Sequence, residues 1–283
     1  MNGQTCPTKK IENLLLSTDG SEFSEGAVRE AINLAKTCSS RLFALSVVET
    51  NPEYETLAPQ LVEKEIEKAR AYLEAVRERA AKENVNCEIV IHQGEDSYRY
   101  IVDEAAKRHA EMIIMGRRGR TGLKRLMMGS VAAKVIGHAP CNVLVVPRAA
   151  KIELKKILVA TDGSRYSDAA AMEAIGIAKR CGAKLTVISV VPSELIAEKE
   201  QKAAECNIKN IKDLAEKEGI SVEGLIAEGK PYEAIVNTAT EKNIDLIVVG
   251  SHGRTGFEKL LMGSVTERVI GLSPCAVLVV KTK

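Results

Sequence analysis

The chain has 283 residues, 45% of them apolar, with 40 Lys and Arg against 38 Asp and Glu. That length and apolar content suffice for two ordinary domains with separate cores. A net charge of +2, six Tyr, three Phe and no Trp argue against a nucleic-acid partner, which needs a basic field or a row of stacking rings, and against an anionic membrane surface.

From Ile11 to Ser17 a run of leucine and isoleucine predicts a strand that ends at Thr18-Asp19-Gly20-Ser21. A helix with Ala27, Ile32 and Ala35 on one face follows, with Ser21 or Ser24 as its N-cap. Leu42 to Val48 is the second strand. Residues 60–83 form a long charged helix with Leu61, Ile66, Ala69, Leu73 and Val76 as its apolar positions. Cys87 to Ile91 is the third strand, followed by Gly94 and a helix through Ile101 and Ala105. Met112 to Met115 is the fourth strand. A helix from Ser130 to about Gly137 leads to Pro140 and a last strand, Val143 to Val146.

The second half repeats this order, with strands at Ile157–Ala160, Leu185–Val190, Val222–Ala227, Leu246–Val249 and Val277–Val280, and helices near 169–179, 197–218 and 232–242. The stretch from Glu49 to Gln60 contracts in the second copy, which reads as a change of loop length. The join lies near Pro147–Lys155, so domains are expected at 9–148 and 152–283, packed together. Apolar strands alternating with helices imply an α/β fold, a parallel sheet covered on both faces. Ligands then gather outside the carboxyl ends of the strands, where strand order reverses.

The fourth strand of each half runs into a glycine loop, Gly116-Arg117-Arg118-Gly119-Arg120-Thr121-Gly122 and Gly250-Ser251-His252-Gly253-Arg254-Thr255-Gly256. Met128-Gly129-Ser130-Val131 and Met262-Gly263-Ser264-Val265 follow, and Gly116 to Gly250 and Gly129 to Gly263 both span 134 residues. Main-chain amides at a helix start are unsatisfied and attract phosphate oxygens. Gly119 and Gly253 remove the Cβ that would hold a ligand away; the alternative is that the glycines form turns with no ligand. Arg120 and Arg254 either add charge or are solvated surface groups. The pattern is neither a P-loop nor G-x-G-x-x-G, and no lysine is placed to grip a γ-phosphate, so phosphoryl transfer is not indicated. Asp19 and Asp162 are placed to accept hydrogen bonds from ribose hydroxyls; the alternative is a turn or helix cap. No second acid or His suggests a general acid–base pair, so no catalytic residue is assigned.

The remaining signals are weaker. Neither a signal peptide nor a membrane span is visible, and a cytoplasmic location is expected. The seven Cys lack a C-x-x-C pair; Cys38 matches Cys181 and Cys141 matches Cys275, and these read as small buried residues of a reducing compartment, the alternative being a redox function. The four His are not spaced as a metal pair, and no metal site is expected.

Together these residues resemble the universal stress protein family, here as a tandem. The family pattern G-x-x-G, nine residues, G-[ST] is met by Gly116, Gly119 and Gly129-Ser130, and by Gly250, Gly253 and Gly263-Ser264, and the strand-one aspartate by Asp19 and Asp162. The likeness runs from about Lys9 to Lys281. It implies two similar domains, each a five-stranded parallel sheet of order 3-2-1-4-5 with helices on both faces, adenine-nucleotide α-hydrolase-like, and each binding ATP or AMP, with Mg²⁺ accompanying ATP. By this resemblance Asp19 and Gly116 lie on the ribose side and Gly119, Gly129, Ser130 and Val131 at the phosphates. Thr18 lies beside the nucleotide, Val47 is near the adenine, and Met115 completes the set. The second set is Thr161, Asp162, Val190, Val249, Gly250, Gly253, Gly263, Ser264 and Val265. Arg117-Arg118, where the other half has Ser251-His252, either favours more phosphates or decorates the surface.

The family often pairs domains through the last strand. Val143–Val146 and Val277–Val280 are therefore expected to pair within the chain as a pseudo-dimer, the alternative being a helix or loop over each edge. A homodimer of the tandem is a further level of assembly. The leading expectation is a nucleotide-binding stress-response or regulatory protein with one site per domain. The alternatives are a slow ATPase and a partner-binding scaffold with unoccupied sites.

Overall fold

The computed structural model describes residue 6 and residues 11–119, 128–192, 198–254 and 262–282. They fall into two compact units, one holding 11–119 and Gly129–Arg148 and the other holding most of Ala149–Lys283. In the first the order is β1 (Asn13–Ser17), α1 (Glu25–Cys38), β2 (Arg41–Glu49), α2 (Pro52–Leu57), α3 (Pro59–Lys82), β3 (Cys87–Gly94), α4 (Ser97–Lys107), β4 (Met112–Gly116), α5 (Ser130–His138) and β5 (Asn142–Val146). In the second it is β6 (Lys156–Thr161), α6 (Arg165–Cys181), β7 (Lys184–Val191), α7 (Glu198–Lys217), β8 (Val222–Glu228), α8 (Pro231–Glu241), β9 (Leu246–Gly250), α9 (Ser264–Leu272) and β10 (Ala276–Val280).

Each unit has the expected sheet, ordered β3-β2-β1-β4-β5 in the first and β8-β7-β6-β9-β10 in the second. Every pairing within a unit is parallel. The central strands are covered on both faces, which is why they read as unbroken apolar runs: Leu14, Leu15 and Leu16 are all fully buried, as are Ile113, Ile114, Ile247 and Val248. The edge strands β3 and β8 are mostly half-buried and carry glutamates outward, as a strand with one exposed side requires. In β1 the register sets Ser17 beside Met115. Thr18-Asp19 and Gly116 therefore leave the sheet as neighbours at the reversal of strand order, which is the position that gathers a ligand in such sheets.

Several local expectations are corrected. The segment after β2 is not only a loop: Pro52–Leu57 is a one-and-a-half-turn helix with Pro at its first position and the Asn51 side chain accepting from Tyr54 N at 2.7 Å, both ordinary start signals. In α3 the buried face is Val62, Ala69, Leu73, Val76 and Ala80, while Leu61 is 52% exposed. Ser24 occupies the N-cap position of α1 without a side-chain cap; its hydroxyl is used elsewhere, as described below. Cys38 is disulfide-bonded, so it is not the reduced thiol expected of it, and Cys87, Cys206 and Cys275 are outside any disulfide. Burial pushes the Cys87 and Cys275 thiols up to about 11, which keeps both protonated and inert at neutral pH.

Helix α1 approaches the chain as it leaves β5. A Cβ on Gly26 would lie 2.5 Å from the carbonyl oxygen of Pro147 and 2.9 Å from that of Arg148. Because both obstacles are backbone, Gly26→Ala should destabilise the protein by about 2–3 kcal/mol, read as a lowered urea midpoint. The matching residue of α6 is Ala169, and Ala169→Gly should cost only the helix-propensity difference of about 1 kcal/mol.

Candidate functional site

The floor of the first crevice is the turn after β1. Thr18 N extends the β1–β2 pairing by donating to Leu45 O at 2.9 Å. Its hydroxyl, in a residue 4% exposed, pairs with Ser24 Oγ at 2.8 Å and accepts from Gly20 N at 3.3 Å. Ser24 Oγ in turn donates to Ser21 O at 2.8 Å. These bonds close a loop that ties the end of β1 to the start of α1. Gly20 has φ +74°, a left-handed conformation that side chains resist. A Cβ there would also meet the ring of Tyr72 from α3 at 3.4 Å.

Within that turn Asp19 divides its carboxylate. Oδ1 accepts from Ser21 N at 3.0 Å and Ser21 Oγ at 2.7 Å, an Asx turn. Oδ2 faces the glycine loop, 2.9 Å from where a Cβ on Gly119 would stand. The second domain repeats the arrangement. Thr161 Oγ1 pairs with Ser167 Oγ at 3.3 Å and accepts from Gly163 N at 3.3 Å, and Ser164 N donates to Asp162 Oδ1 at 3.0 Å. Asp162 Oδ2 lies 2.8 Å from the position of a Gly253 Cβ and accepts from Arg254 N at 2.8 Å. Arg254 Nε donates to the Asp162 carbonyl, and its Nη1 pairs with Glu200 of α7 at 3.1 Å.

The three glycines of each loop have separate physical reasons. Gly116 and Gly250 are buried where β4 and β9 pass the helix starts, and a Cβ would come within 3.1 Å of Phe23 O or 2.7 Å of the Tyr166 backbone. Gly119 and Gly253 make room for the aspartate carboxylate. Gly129 differs: it is the N-cap of α5, with no side-chain cap, and an added Cβ would meet only ordinary contacts, at 3.5 Å and beyond. Protein packing therefore does not demand a glycine there. At Gly263, the N-cap of α9, the nearest atom would be His252 Cα at 3.3 Å. Gly129 N donates to Arg117 O at 3.0 Å and Gly263 N to Ser251 O at 2.9 Å, so the loop wraps the helix start in both copies.

This geometry brings Thr18, Asp19, Gly116, Gly119 and Gly129 together around one crevice, and Thr161, Asp162, Gly250, Gly253 and Gly263 around another. Ser130 and Ser264 are exposed first residues of α5 and α9, and Val131 and Val265 beside them are half-buried. Met115 and Val249 are only 5% and 4% exposed, so their side chains belong to the core. Val47 and Val190 are half-buried near the carboxyl ends of β2 and β7. Arg120, Thr121, Gly122, Thr255 and Gly256 lie outside the described residues.

The sequence marked Ser24 only as a helix cap and did not single out Ser167, although the string Thr-Asp-Gly-Ser-x-[Phe/Tyr]-Ser occurs in both halves. Sequence reasoning also missed Tyr72, whose Oη lies 3.3 Å from Thr18 Oγ1 and donates to Glu25 at 3.0 Å; burial raises its pKa. Asn207 takes the matching place against Gly163. Arg117 is half-buried, and its pKa is lowered first by burial and then by the neighbouring charge of Arg118. Among the described residues no cluster of His, Cys, Asp and Glu is arranged to hold a metal. None of the helices described is long and apolar enough to cross a membrane.

A doubly copied parallel α/β sheet of order 3-2-1-4-5, with a glycine loop and an aspartate turn at its strand-order reversal, defines a tandem α/β protein by architecture. The sequence profile of the Universal stress protein family matches residues 10–147 and again 153–281. The chain belongs to that family, as a tandem of two of its domains. A universal stress protein of Methanocaldococcus jannaschii is 42% identical over 143 residues, covering 45% of this chain and 82% of its own. The universal stress protein YxiE of Bacillus subtilis is 35% identical over 145 residues, covering 44% of this chain and 98% of its own. A crystal structure of a universal stress protein from Archaeoglobus fulgidus superposes with a TM-score of 0.77 at 26% identity, over 95% of this chain and 98% of that one.

In the absence of any ligand, Gly119 and Gly129 should respond differently to substitution. Gly119→Ala should cost about 1–2 kcal/mol, because the new methyl displaces a carboxylate held by two bonds. Gly129→Ser should instead add about 0.3 kcal/mol, since serine is a slightly better N-cap than glycine. Urea unfolding of the two variants should therefore move in opposite directions.

Proposed function

We propose that each domain binds one adenine nucleotide, ATP or AMP, and that the chain is a stress-response regulator whose output follows the occupancy of its two crevices. The observation that carries this reading is Gly129. A residue whose Cβ the protein itself would accommodate, at a helix start without a side-chain cap, is accounted for by a ligand that must approach the main chain closely. The repeated crevice in the second domain supports the same reading.

The residues present fit such a ligand. In the first domain the amides of Gly129, Ser130 and Val131 and the Ser130 hydroxyl would hold the phosphates at the positive end of α5. Asp19, with one oxygen turned to the loop, would accept from the ribose, Gly116 and Thr18 would form the wall beside it, and Val47 would lie by the adenine. Gly119 would keep the loop close to Asp19. In the second domain Gly263, Ser264 and Val265, Asp162, Gly250 and Gly253, Thr161 and Val190 take these roles. The nucleotide supplies a phosphate chain, with Mg²⁺ when it is ATP; the protein supplies fixed amides that need no reorganisation on binding.

Calorimetric titration of the whole chain with ATP and with AMP should give two sites. Gly129→Val should remove one, because a branched side chain obstructs the phosphates, and Gly129→Val with Gly263→Val should remove both. Gly129→Ser should weaken the first site about tenfold while leaving the fold intact, because the serine hydroxyl takes the amide that the phosphate needs. Folded double-valine protein that still binds two nucleotides would defeat the proposal.

A further inference from the structure

Helix α2 buries none of its residues. A helix of that length does not hold itself in water, so it depends on its Asn51-Pro52 start and its junction with α3. The connection from second strand to long helix is shorter in the other domain, so the shared fold does not require α2. It is a surface addition to the frame, the kind of segment on which function concentrates.

Yet the side chains it presents to solvent are apolar. Six large hydrophobic side chains are exposed among the described residues: Tyr54, Leu57, Leu61, Met172, Leu214 and Ile226. The last three stand singly on α6, α7 and β8, as surface hydrophobics normally do. The first three fall within eight residues, at 44%, 76% and 52% exposure. Hydrogen bonds carry the chain from one to the next: Ala58 N donates to Tyr54 O, and Leu61 N and Val62 N both donate to Ala58 O. Leu57 stands three residues after Tyr54, and Leu61 four after Leu57, the spacing of neighbours along one side of a helical path. Clustered exposure of this kind marks a contact surface.

Charge decides what it contacts. Residues 49–64 hold Glu49, Glu53, Glu55 and Glu63 against a single cation, Lys64. Glu53, Glu55 and Glu63 have no ion-pair partner among the described residues. Where Thr50 N meets Gly94 O at 3.2 Å, Glu95 adds a further carboxylate, while Asp96 is answered by Arg99 and Lys134. A surface both acidic and apolar repels nucleic-acid phosphates and anionic lipid headgroups. A second copy meeting it about a twofold axis would set carboxylates against carboxylates. Three side chains also fall well short of the roughly 800 Å² that each partner of a stable complex buries. What fits is a short cationic segment with an apolar stripe of its own.

We propose that the Tyr54, Leu57 and Leu61 surface docks a basic amphipathic helix of a partner protein. Its apolar stripe packs on these three side chains, and its Lys or Arg residues meet the surrounding glutamates. Helices of this type bind through anchors at i, i+3 or i+4, and i+7, which is the spacing the surface itself offers. The apolar anchors hold the complex, and the rim charges select the partner and speed encounter. The surface follows the carboxyl end of β2, and the proposal stands whatever ligand the crevices take.

The test uses the full chain and a labelled helical peptide of leucine and lysine, about 16 residues long, with its leucines in one stripe. A peptide with glutamate in place of every lysine is its counterpart. In fluorescence anisotropy the lysine peptide should bind at least about tenfold tighter than the glutamate peptide, and added salt should narrow the gap. Leu57→Ser with Leu61→Ser should weaken the lysine peptide about tenfold, whereas Met172→Ser, at a comparably exposed position, should not. Glu53→Lys with Glu55→Lys should reduce or reverse the preference between peptides. If these variants melt α2, Leu61→Ser with Glu63→Lys leaves that helix untouched and should still cost the lysine peptide about threefold. Equal affinity for the two peptides, or lysine-peptide binding indifferent to the leucine variants, overturns the proposal. So does a different occupant: a dimer in sedimentation equilibrium that Leu57→Ser with Leu61→Ser dissociates, or phosphatidylserine vesicles that bind the native chain and not that variant.

Discussion

The structure turns on an aspartate that serves two masters. One carboxylate oxygen of Asp19 is consumed by its own turn, and the other lies against the glycine loop that follows β4; Asp162 repeats this in the second domain. The arrangement is available only because the register of parallel strands places the end of β1 beside the end of β4. It then requires a residue without a side chain where loop meets carboxylate, and a residue that tolerates positive φ immediately after the aspartate. Gly119 and Gly20 meet those demands in one domain, Gly253 and Gly163 in the other. The crevice is thus a consequence of sheet topology plus a few positions with no steric freedom.

Much of the architecture was legible because burial on both faces writes itself into composition. Runs such as Leu14-Leu15-Leu16 and Leu246-Ile247-Val248-Val249 have no polar alternation, and they proved to be central strands. The boundaries moved by a residue or two, as at β2, where Arg41 and Glu49 extend the strand past the apolar run. Helix α2 was read only as added loop length, although Asn51-Pro52 announces a helix start, because a six-residue helix with no buried residue has no periodic face to detect. Leu61 shows the limit of periodicity from the other side: hydrophobic by type, it sits on the solvent face beside Val62, which takes the core position.

At the candidate site, glycine spacing was visible and the purpose of each glycine was not. Gly119 looked like a gap left for a ligand, whereas its neighbour is the Asp19 carboxylate. Tyr72, Asn207 and Glu200 reach the aspartate turn or the loop from long helices, separated from them by dozens of residues, so no local pattern could have nominated them. They emerge only when helix packing is known. The repeat itself then becomes an internal control. Where the two copies agree, as in the hydroxyl pairs Thr18–Ser24 and Thr161–Ser167, the shared fold is the economical explanation. Where they differ, the surroundings of each crevice have diverged on a common frame.

The contact between Gly26 and the chain leaving β5 has a mechanical side. The carbonyls of Pro147 and Arg148 bear directly on the first turn of α1, two residues after Ser24, whose hydroxyl grips Thr18. The chain leaving β5 is therefore seated on the same turn of α1 that carries Ser24, and bulk added at Gly26 would be felt at the Thr18–Ser24 hydroxyl pair.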